Sequence, residues 1–424
     1  MNKYIEDLLS FLDNSPTSFQ ANTEIIDRLK GCGFNAIDES KPVTLQPGGK
    51  YYLSRFDTAV IAFVIGSDPL AESGFSLAAS HIDSPLIKVK GQSVKSDKGI
   101  SRVGTEIYGG PIISGWLDRE LSLAGRIVVK NQDGTYSSHN VNLKRPVAII
   151  PNAAIHLNRD LNKGYDYNKQ TQLQAIISTD SIAGNPLLAA IAEELQLSPE
   201  QICDMDVFLY DPRPAQVIGF NHDMIASGRL DNLAMTHAIL SAIMEVSEPR
   251  TTSVAVFYDH EEIGSRTPQG AMSSLLNEVL ERISLGLGLS REDYYRALRN
   301  SYLVSADMAH AYHPNYPEKY DGDYVAVMNQ GPVIKLNADF RYSSTADSSL
   351  RFVRACDKAC VKYQRFLVRS DMPCGSTVGP LVASALGISA IDIGNPMWAM
   401  HSVRETAGVA DHKALIKVLK TYYN

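Results

Sequence analysis

Short apolar runs rich in β-branched and aromatic residues alternate with longer segments of helical period in the second half of the chain. Runs of this kind predict buried strands, and apolar positions three and four residues apart predict helices. Because the two kinds of segment take turns, the pattern predicts an α/β sheet with helices on both faces. The predicted strands are Ser253 to Tyr258, Tyr302 to Ala306, Pro332 to Asn337 and Ile388 to Ile393, and the predicted helices are Asn232 to Val246, Ser273 to Leu285, Ser348 to Val368 and His412 to Tyr422.

The N-terminal region predicts helices and strands of the same kind. Two helical segments come first, and Ser15, Pro16 and Thr17 between them are residues that interrupt and cap helices. Three strand-like runs follow, and the last of them leads directly into the sequence HIDSP. These runs are Tyr51 to Ser54, Val60 to Gly66 and Phe75 to Ser80.

The composition changes after about Lys90, where the chain becomes rich in Gly and strand-forming residues and contains the turn sequence NQDGT. A polar turn between two such runs predicts a β-hairpin. This stretch also holds a predicted helix at Pro186 to Leu197 and a predicted strand at Asp206 to Tyr210. We therefore predict a β-rich domain, residues 91–224, inserted into an α/β domain formed by residues 1–90 and 225–424.

Composition and charge exclude several classes of partner. With 424 residues, of which 44% are hydrophobic and 21% charged, the chain has the composition of a globular protein with room for two domains. A net charge of -7 without a dense Lys/Arg cluster argues against nucleic acid and against an anionic membrane surface as partners.

The sequence also predicts a cellular compartment. No run approaches the ~20 apolar residues of a membrane span, and the acidic opening MNKYIEDLLSFLDNS differs from an export signal. The five cysteines are odd in number and scattered, as expected of reduced thiols. We therefore expect the protein in the cytoplasm.

Acidic and histidine residues follow several of the predicted strands. In open α/β sheets, ligands gather outside the carboxyl ends of the strands, so these segments are expected to converge. Oxygen and imidazole donors without thiolates suit zinc, cobalt or manganese in a hydrolytic site. The residues are His81 and Asp83 in SHIDSP, Asp231 in SGRLDN, Asp259 to Glu262 in YDHEEIGS, Asp307 in SADMAHAYHPNY and His401 in AMHSVRE.

Two metal ions in one hydrolytic site need a bridging carboxylate, terminal ligands and a separate group that takes a proton from water. Successive side chains of a strand point to opposite faces, so Glu261 and Glu262 cannot both bind one metal if the strand continues through them. If the strand instead ends in a turn at Ile263-Gly264-Ser265, Glu262 can be a ligand while Glu261 faces the attacking water. This predicts Glu262 as a metal ligand and Glu261 as the general base.

Seven segments between His81 and Gly408 carry a common signal. They are SHIDSP, GRLDNLA, DHEEIGS, SADMAHAYHPNY, GPVIKLN, DMPCGSTVGP and MHSVRETAG. Together, and in this order, they resemble the aspartyl aminopeptidase family of dizinc aminopeptidases, and the resemblance covers nearly the whole chain. It implies a zinc-peptidase sheet, an inserted dimerisation domain and cleavage of N-terminal residues from peptides.

The resemblance implies a role for each residue of the candidate site. Asp231 is expected to bridge two zinc ions, for which cobalt or manganese are possible substitutes. His81 and Asp307 are expected to complete one metal site, and Glu262 and His401 the other. Glu261 is the implied base, and Asp83 is expected to hold the imidazole of a ligand histidine in place.

The resemblance also implies a specificity and an assembly. Lys335 in GPVIKLN is expected to pair with an acidic N-terminal side chain of the substrate, although the pattern alone equally fits a surface lysine on an edge strand. His156 in AAIHLNR is expected to reach the active site of a neighbouring subunit within a tetrahedral homododecamer built from dimers, and the pattern alone favours an ordinary strand-end histidine.

Three alternative functions remain open at this stage. A similar metal site could serve an aminopeptidase for neutral N-terminal residues, or another dizinc hydrolase such as a deacylase or carboxypeptidase. The third alternative, a non-catalytic protein whose metals only organise an assembly, has no need of a general base such as Glu261.

Overall fold

The computed structural model describes residues 2–180 and 184–424 of the chain. In this part of the chain every helix is too short or too polar to span a lipid bilayer. The α-helices are α1 Lys3–Asn14, α2 Ser18–Gly31, α3 Leu70–Ser73, α4 Pro186–Leu195, α5 Leu230–Met244, α6 Leu275–Gly286, α7 Arg291–Asn300, α8 Ala346–Lys358, α9 Val378–Leu386 and α10 Val409–Tyr423.

The strands form three sheets. In chain order they are β1 Asn35–Ala36, β2 Lys50–Arg55, β3 Ala59–Val64, β4 Phe75–His81, β5 Leu86–Asp97, β6 Ile100–Tyr108, β7 Glu120–Lys130, β8 Tyr136–Asn142, β9 Ala148–Ile149, β10 Ala175–Ser178, β11 Ile202–Tyr210, β12 Gln216–Ile218, β13 Met224–Ser227, β14 Thr252–Tyr258, β15 Tyr302–Ala306, β16 Ala309–His310, β17 Val333–Leu336, β18 Gln364–Leu367, β19 Ser389–Gly394, β20 Pro396–Trp398 and β21 Glu405–Gly408.

The largest sheet has nine strands in the order β1-β2-β3-β14-β4-β15-β19-β17-β18. Its two faces are both buried, as the alternation along β3 shows. Val60, Ala62 and Val64 pack into a core shared with α1, α2, α5, α8 and α10. Ile61 and Phe63 pack into a second core with α6, α7 and α9. Each large apolar side chain buried in this way stabilises the fold by about 1.5–3 kcal/mol, so the sheet is a firm scaffold. The predicted α/β fold with helices on both faces is confirmed.

The direction of the central strands decides where polar side chains can meet. β4 runs parallel to both β14 and β15, and β15 runs parallel to β19. The carboxyl ends of these four neighbouring strands therefore lie at the same edge of the sheet, and the segments that leave them come close together.

Residues 86–210 supply a separate seven-stranded sheet in the order β11-β5-β6-β10-β9-β7-β8. β11 pairs with both β5 and β7, so the sheet closes on itself. The predicted turn NQDGT joins β7 to β8, with Gly134 at a φ of +87°. The predicted division into an inserted domain, residues 91–224, and an α/β domain, residues 1–90 and 225–424, stays a prediction.

A third sheet, in the order β12-β13-β21-β20-β16, connects distant parts of the sequence. β13 pairs antiparallel with β21, so that Ser227 lies opposite Glu405. The residues that follow β13 therefore lie beside those that precede β21.

The helix predicted at Ser348 to Val368 is wrong in its second half. α8 ends at Lys358, and Gln364–Leu367 forms β18, which pairs in parallel with β17. Cys360 has a φ of +49°, a conformation that a right-handed helix cannot contain, and the N–H of Val361 closes the helix end on the Cys356 carbonyl. The sequence after this end is that of a short strand. The helix α7 was not predicted.

Candidate metal centre

Three parallel strands place four of the predicted site residues at one edge of the large sheet. His81 is the last residue of β4 and pairs with Tyr258 at the end of β14. The chain then turns through a short 3₁₀ helix, Glu261–Ile263, which confirms the predicted turn after the strand. Asp307 directly follows β15. These residues come from distant parts of the sequence but leave the sheet at neighbouring points.

The other two predicted ligands arrive through the third sheet. Asp231 lies in the first turn of α5, just after β13, and the peptide bond between Asp231 and Asn232 is cis. His401 lies in the loop that precedes β21. The antiparallel pairing of β13 with β21 brings both residues to the edge occupied by His81 and Glu262.

The five predicted ligands face one another across a few ångströms. Asp231 lies between two groups, because its Oδ1 is 3.6 Å from Nε2 of His81 and its Oδ2 is 3.4 Å from Nε2 of His401. Asp307 Oδ1 lies 3.8 Å from the same His81 nitrogen. Glu262 Oε2 lies 3.3 Å from the His401 nitrogen. All five residues thus meet, in two groups that share Asp231.

The donor atoms fit a divalent metal ion. Ligand atoms of His81, Asp231 and Glu262 all lie within 4.8 Å of one another. Among the described residues, the buried Oδ1 of Asp231 and Oε1 of Glu262 have no hydrogen-bond partner. A buried carboxylate oxygen is costly unless something satisfies it, and carboxylate and imidazole donors suit zinc.

The pKa values of the acidic side chains show that the centre concentrates negative charge. Burial, together with the nearby Asp307 and Glu262 carboxylates, raises the pKa of Glu261 to about 8. Burial also raises the pKa of Glu262, to about 7. Asp307 behaves differently: burial would raise its pKa, but Lys335, His81 and His401 together outweigh burial and hold the pKa at about 2.

The nearby carboxylates also raise the pKa values of His401 and His81. Burial alone would lower the pKa of His401, but its contacts with Asp231 and Glu262 raise that pKa to about 11. Burial is outweighed in the same way at His81, whose pKa is raised well above its usual value by Asp307 and Asp83. A bound divalent cation would neutralise this excess of negative charge, and the protons held by the acidic groups and the histidines would then be released.

Asp83 supports the centre in more ways than the sequence predicts. Its backbone carbonyl lies 3.0 Å from Nδ1 of His81, and its carboxylate Oδ1 lies 3.3 Å from the same nitrogen, so that Nε2 is left facing the other ligands. The carboxylate also accepts hydrogen bonds from the backbone N–H groups of Glu261 and Glu262, both at 3.1 Å. One buried side chain therefore holds a ligand histidine and the turn with the proposed base.

Sequence reasoning missed two residues that contact the centre. Glu405 is buried and accepts hydrogen bonds from the backbone N–H groups of Asp231 and His401. Tyr108, at the end of β6, donates a hydrogen bond to Oδ2 of Asp83 at 2.7 Å. Glu405 stands four residues after His401 in MHSVRETAG, so its position beside a ligand was an available signal. Tyr108 carries no such signal.

Lys335 lies beside the centre and His156 does not. Lys335 is only 3% exposed on β17, which is an inner strand, so the alternative of a surface lysine on an edge strand is excluded. Its Nζ donates to the Met308 carbonyl at 3.0 Å and lies 3.9 Å from Asp307 Oδ2. His156 is exposed on a turn after β9, where this subunit does not bring it to the five ligands.

Two of the remaining histidines of the motifs make local contacts. His260, just before Glu261, bonds through Nδ1 to the Thr267 hydroxyl at 2.7 Å. His313 packs its ring against Tyr316, with the ring centroids 4.9 Å apart.

Comparison with known proteins finds relatives that match almost the whole chain. Residues 11–423 match the family described as aminopeptidase I zinc metalloprotease (M18). The chain is 41% identical to the probable M18 family aminopeptidase 2 of Clostridium novyi (strain NT), over 100% of this chain and 99% of that protein. It is 42% identical to the probable M18 family aminopeptidase 2 of Ectopseudomonas mendocina (strain ymp), over 99% of this chain and 98% of that protein.

Solved structures show the same fold. A chain in the cryo-EM structure of the Ape4 and Nbr1 complex superimposes with a TM-score of 0.95 at 35% identity, covering 99% of this chain and 85% of that one. The S. cerevisiae mApe1 dodecamer gives a TM-score of 0.87 at 26% identity, covering 99% of this chain and 95% of that one. The resemblance to aspartyl aminopeptidases is thus confirmed at the level of the M18 family. The protein belongs to the M18 family of zinc metalloproteases and is a zinc aminopeptidase.

Proposed function

We propose that the protein removes N-terminal residues from peptides, with a preference for Asp and Glu, and that each subunit uses two zinc ions. The observation that carries the proposal is the position of Asp231, whose two oxygens face separate groups of ligands. A bridging carboxylate of this kind is what a two-metal hydrolytic site requires.

His81 and Asp307 would hold one zinc ion, and Glu262 and His401 the other, with Asp231 shared between them. When bound, zinc supplies Lewis-acid polarisation of the peptide carbonyl and makes the attacking water more acidic. The chain's own residues then bind the substrate, orient it and move the proton.

Glu261 is the proposed general base. It is not needed as a ligand in either group, and its Oε2 lies 4.0 Å from Nε2 of His81, so it faces the centre from the side. A carboxylate that faces the centre and belongs to neither ligand group is placed to take a proton from water and to return it. In this role Glu261 accepts the proton of the attacking water and passes it to the leaving amide nitrogen.

Lys335 is the proposed specificity residue. An acidic N-terminal side chain needs a cation in its pocket, and the Lys335 ammonium is buried at the edge of the centre next to Asp307. An ammonium group has three N–H donors, and the Met308 carbonyl accepts from one of them. A substrate carboxylate would occupy another. Enzymes with a similar site can prefer neutral N-terminal residues, so a comparison of acidic with neutral substrates is the first test of Lys335.

We also propose that the protein works as a tetrahedral homododecamer built from dimers, in the cytoplasm. The support for the assembly is the S. cerevisiae mApe1 dodecamer, whose fold is similar. His156 would reach the centre of a neighbouring subunit, and the side chains beside it, Ile155 and Leu157, are 46% and 84% exposed, as expected of a surface that another subunit covers. Five free and scattered cysteines support a reducing compartment.

The deciding experiment is hydrolysis of amides of Asp, Glu, Leu, Ala and N-acetyl-Asp by the zinc-loaded protein. We expect cleavage of the Asp and Glu amides and no cleavage of N-acetyl-Asp amide, because an aminopeptidase requires a free α-amine. Faster cleavage of Leu or Ala amides would leave the mechanism in place and contradict the role of Lys335. No cleavage of any amide by zinc-loaded protein would favour a deacylase or carboxypeptidase instead.

A further inference from the structure

The strand β6 of the seven-stranded sheet ends inside the metal centre of its own subunit. Its last residue, Tyr108, donates a hydrogen bond to Oδ2 of Asp83 at 2.7 Å. Two residues further on, the Gly110 carbonyl accepts from Nδ1 of His401 at 3.1 Å. The N–H of Ile112 bonds to the His401 carbonyl at 2.9 Å. The segment 108–112 therefore contacts residues on both sides of the centre.

Gly109 lies between these contacts and against a ligand. A Cβ added at Gly109 would lie 3.3 Å from Cβ of Glu262 and 3.4 Å from Pro85, and the residue has a φ of +71°. The backbone approaches Glu262 closely because this position has no side chain.

The Tyr108 hydroxyl completes the partners of the Asp83 carboxylate. Oδ1 of Asp83 faces the backbone N–H of Glu261 and Nδ1 of His81, while Oδ2 accepts from the backbone N–H of Glu262 and from Tyr108. Burial and the nearby Asp83 charge raise the pKa of Tyr108, so its hydroxyl stays protonated and acts as a donor. Removing this donor would leave a buried carboxylate oxygen with one partner fewer.

We propose that Tyr108 is a positioning residue for the aminopeptidase reaction, acting through Asp83 on the orientation of His81 and of the Glu261–Glu262 turn. The seven-stranded sheet thereby takes part in the chemistry of its own subunit. Side chains that orient metal ligands from behind affect metal affinity and activity by about 10- to 100-fold. This inference rests on the proposed function, in which His81 and Glu262 bind zinc.

The Tyr108 ring can keep its place without the hydroxyl. It packs edge-on against Phe208, with ring centroids 5.9 Å apart, and against the His260 ring at 6.3 Å. Tyr108→Phe therefore removes one hydrogen bond and retains the packing. Tyr210→Phe is a matched control, because Tyr210 is buried in the same sheet and its hydroxyl bonds to Asn142 at 2.6 Å, within the sheet.

The test compares both variants with wild type in zinc affinity, measured by chelator competition, in the absorption spectrum of the cobalt-loaded protein, and in kcat and KM for Asp amide. For Tyr108→Phe we expect zinc affinity to fall by about 10- to 100-fold, kcat to fall by about tenfold or more with KM within about twofold, and the cobalt spectrum to change. Tyr210→Phe should match wild type in all three. Tyr108→Phe with the zinc affinity and spectrum of Tyr210→Phe would overturn the proposal.

A double-mutant cycle tests whether Tyr108 acts through Asp83. In an Asp83→Ala background, Tyr108→Phe should have almost no further effect on zinc affinity, because the side chain that accepts the Tyr108 hydrogen bond is absent. Full additivity of the two effects would contradict the proposal. Circular dichroism and assembly size show whether each variant is folded. If Tyr108→Phe by itself lowers the stability of the fold, the double-mutant cycle still tests whether Tyr108 acts on zinc affinity through Asp83. Wild-type protein that binds zinc but cleaves no amide would reject the proposed function, while the zinc-affinity and spectral comparisons would still decide the role of Tyr108.

Discussion

Glu405 lies directly behind Asp231, and its Oε2 accepts a hydrogen bond from the backbone N–H of Asp231 at 3.0 Å. Its other oxygen accepts from the backbone N–H of His401 at 2.7 Å. One carboxyl group therefore fixes the backbone of two proposed ligands that are far apart in the sequence. Burial and the charge of Asp231 raise the pKa of Glu405 well above its usual value. The centre is thus a cluster of buried acids whose stability depends on what neutralises it.

Removal of zinc should make the stability of the protein strongly dependent on pH. In the folded, zinc-free protein the pKa of Glu261 is about 8 and that of Glu262 about 7, against 4.5 in the unfolded chain. Between pH 4.5 and these values the folded state holds protons that the unfolded state has released, so stability falls as pH rises, by up to about 1.4 kcal/mol per pH unit for each group. His401, with a pKa of about 11 against 6.5, acts in the same direction above pH 6.5.

The expected result is a Tm of the zinc-free protein that falls from pH 6.5 to pH 8, measured by differential scanning fluorimetry. The buried His237 and His412, whose pKa values are lowered, act in the opposite direction only below pH 6.5. Added zinc should raise Tm more at pH 8 than at pH 5. Zinc-free Glu261→Gln should show a shallower fall, because one titrating group is gone. A zinc-free Tm that rises across this range would contradict the raised pKa values of Glu261, Glu262 and His401.

Glu261→Gln should separate catalysis from metal binding. The amide cannot accept a proton from water, so we expect kcat to fall by about 10²- to 10⁴-fold while the zinc content stays that of wild type. Glu262→Gln is the matched comparison, since the neighbouring residue is a proposed ligand and its loss should lower the zinc content itself. Metal analysis of both purified variants with kinetics on Asp amide decides the assignment. Equal loss of zinc from both would show that Glu261 is a ligand.

The ends of the strands that carry site residues could be predicted, because each strand end depends on a local sequence pattern. The runs that form β4 and β14 consist of apolar and small residues, are buried along their whole length and end where HIDSP and DHEEIGS begin, so the sequence predicted that His81 and the Glu261 turn lie at strand ends. That parallel strands bring their carboxyl ends together is a general property of α/β sheets. Neither step needed knowledge of long-range contacts.

The supporting residues could not be predicted, because their contacts come from tertiary structure. Nothing near Tyr108 in the sequence shows that β6 ends against Asp83, and this contact depends on how the closed sheet sits beside the large one. The end of α8 was missed for a local reason: its C-terminal turn has Cys360 at positive φ, where glycine is the usual signal.

Lys335→Met should lower the preference for acidic substrates. A hydrogen bond between an ammonium and a substrate carboxylate is worth about 1.5–3 kcal/mol, so kcat/KM for Asp amide should fall by about 10- to 150-fold relative to Leu amide. The loss of charge beside Asp307 should affect both substrates equally, so the ratio isolates the pocket. Lys319→Met, at an exposed lysine, is the control. An unchanged ratio with both values lowered would assign Lys335 to Asp307 alone.

Gly109→Ala should weaken zinc binding through direct contact with a ligand. The new methyl group would meet Glu262 at 3.3 Å, so the ligand or the segment 108–112 must shift by a few tenths of an ångström. The φ of +71° adds a backbone cost of about 1–2 kcal/mol to folding. Gly134→Ala separates the two effects, because Gly134 has a φ of +87° and no atom within 4 Å of an added Cβ. Gly134→Ala should lose Tm through the backbone cost alone and keep its zinc affinity, whereas Gly109→Ala should lose more Tm and also lose zinc affinity in chelator competition. Equal zinc affinity in the two variants would show that the centre tolerates movement of this segment.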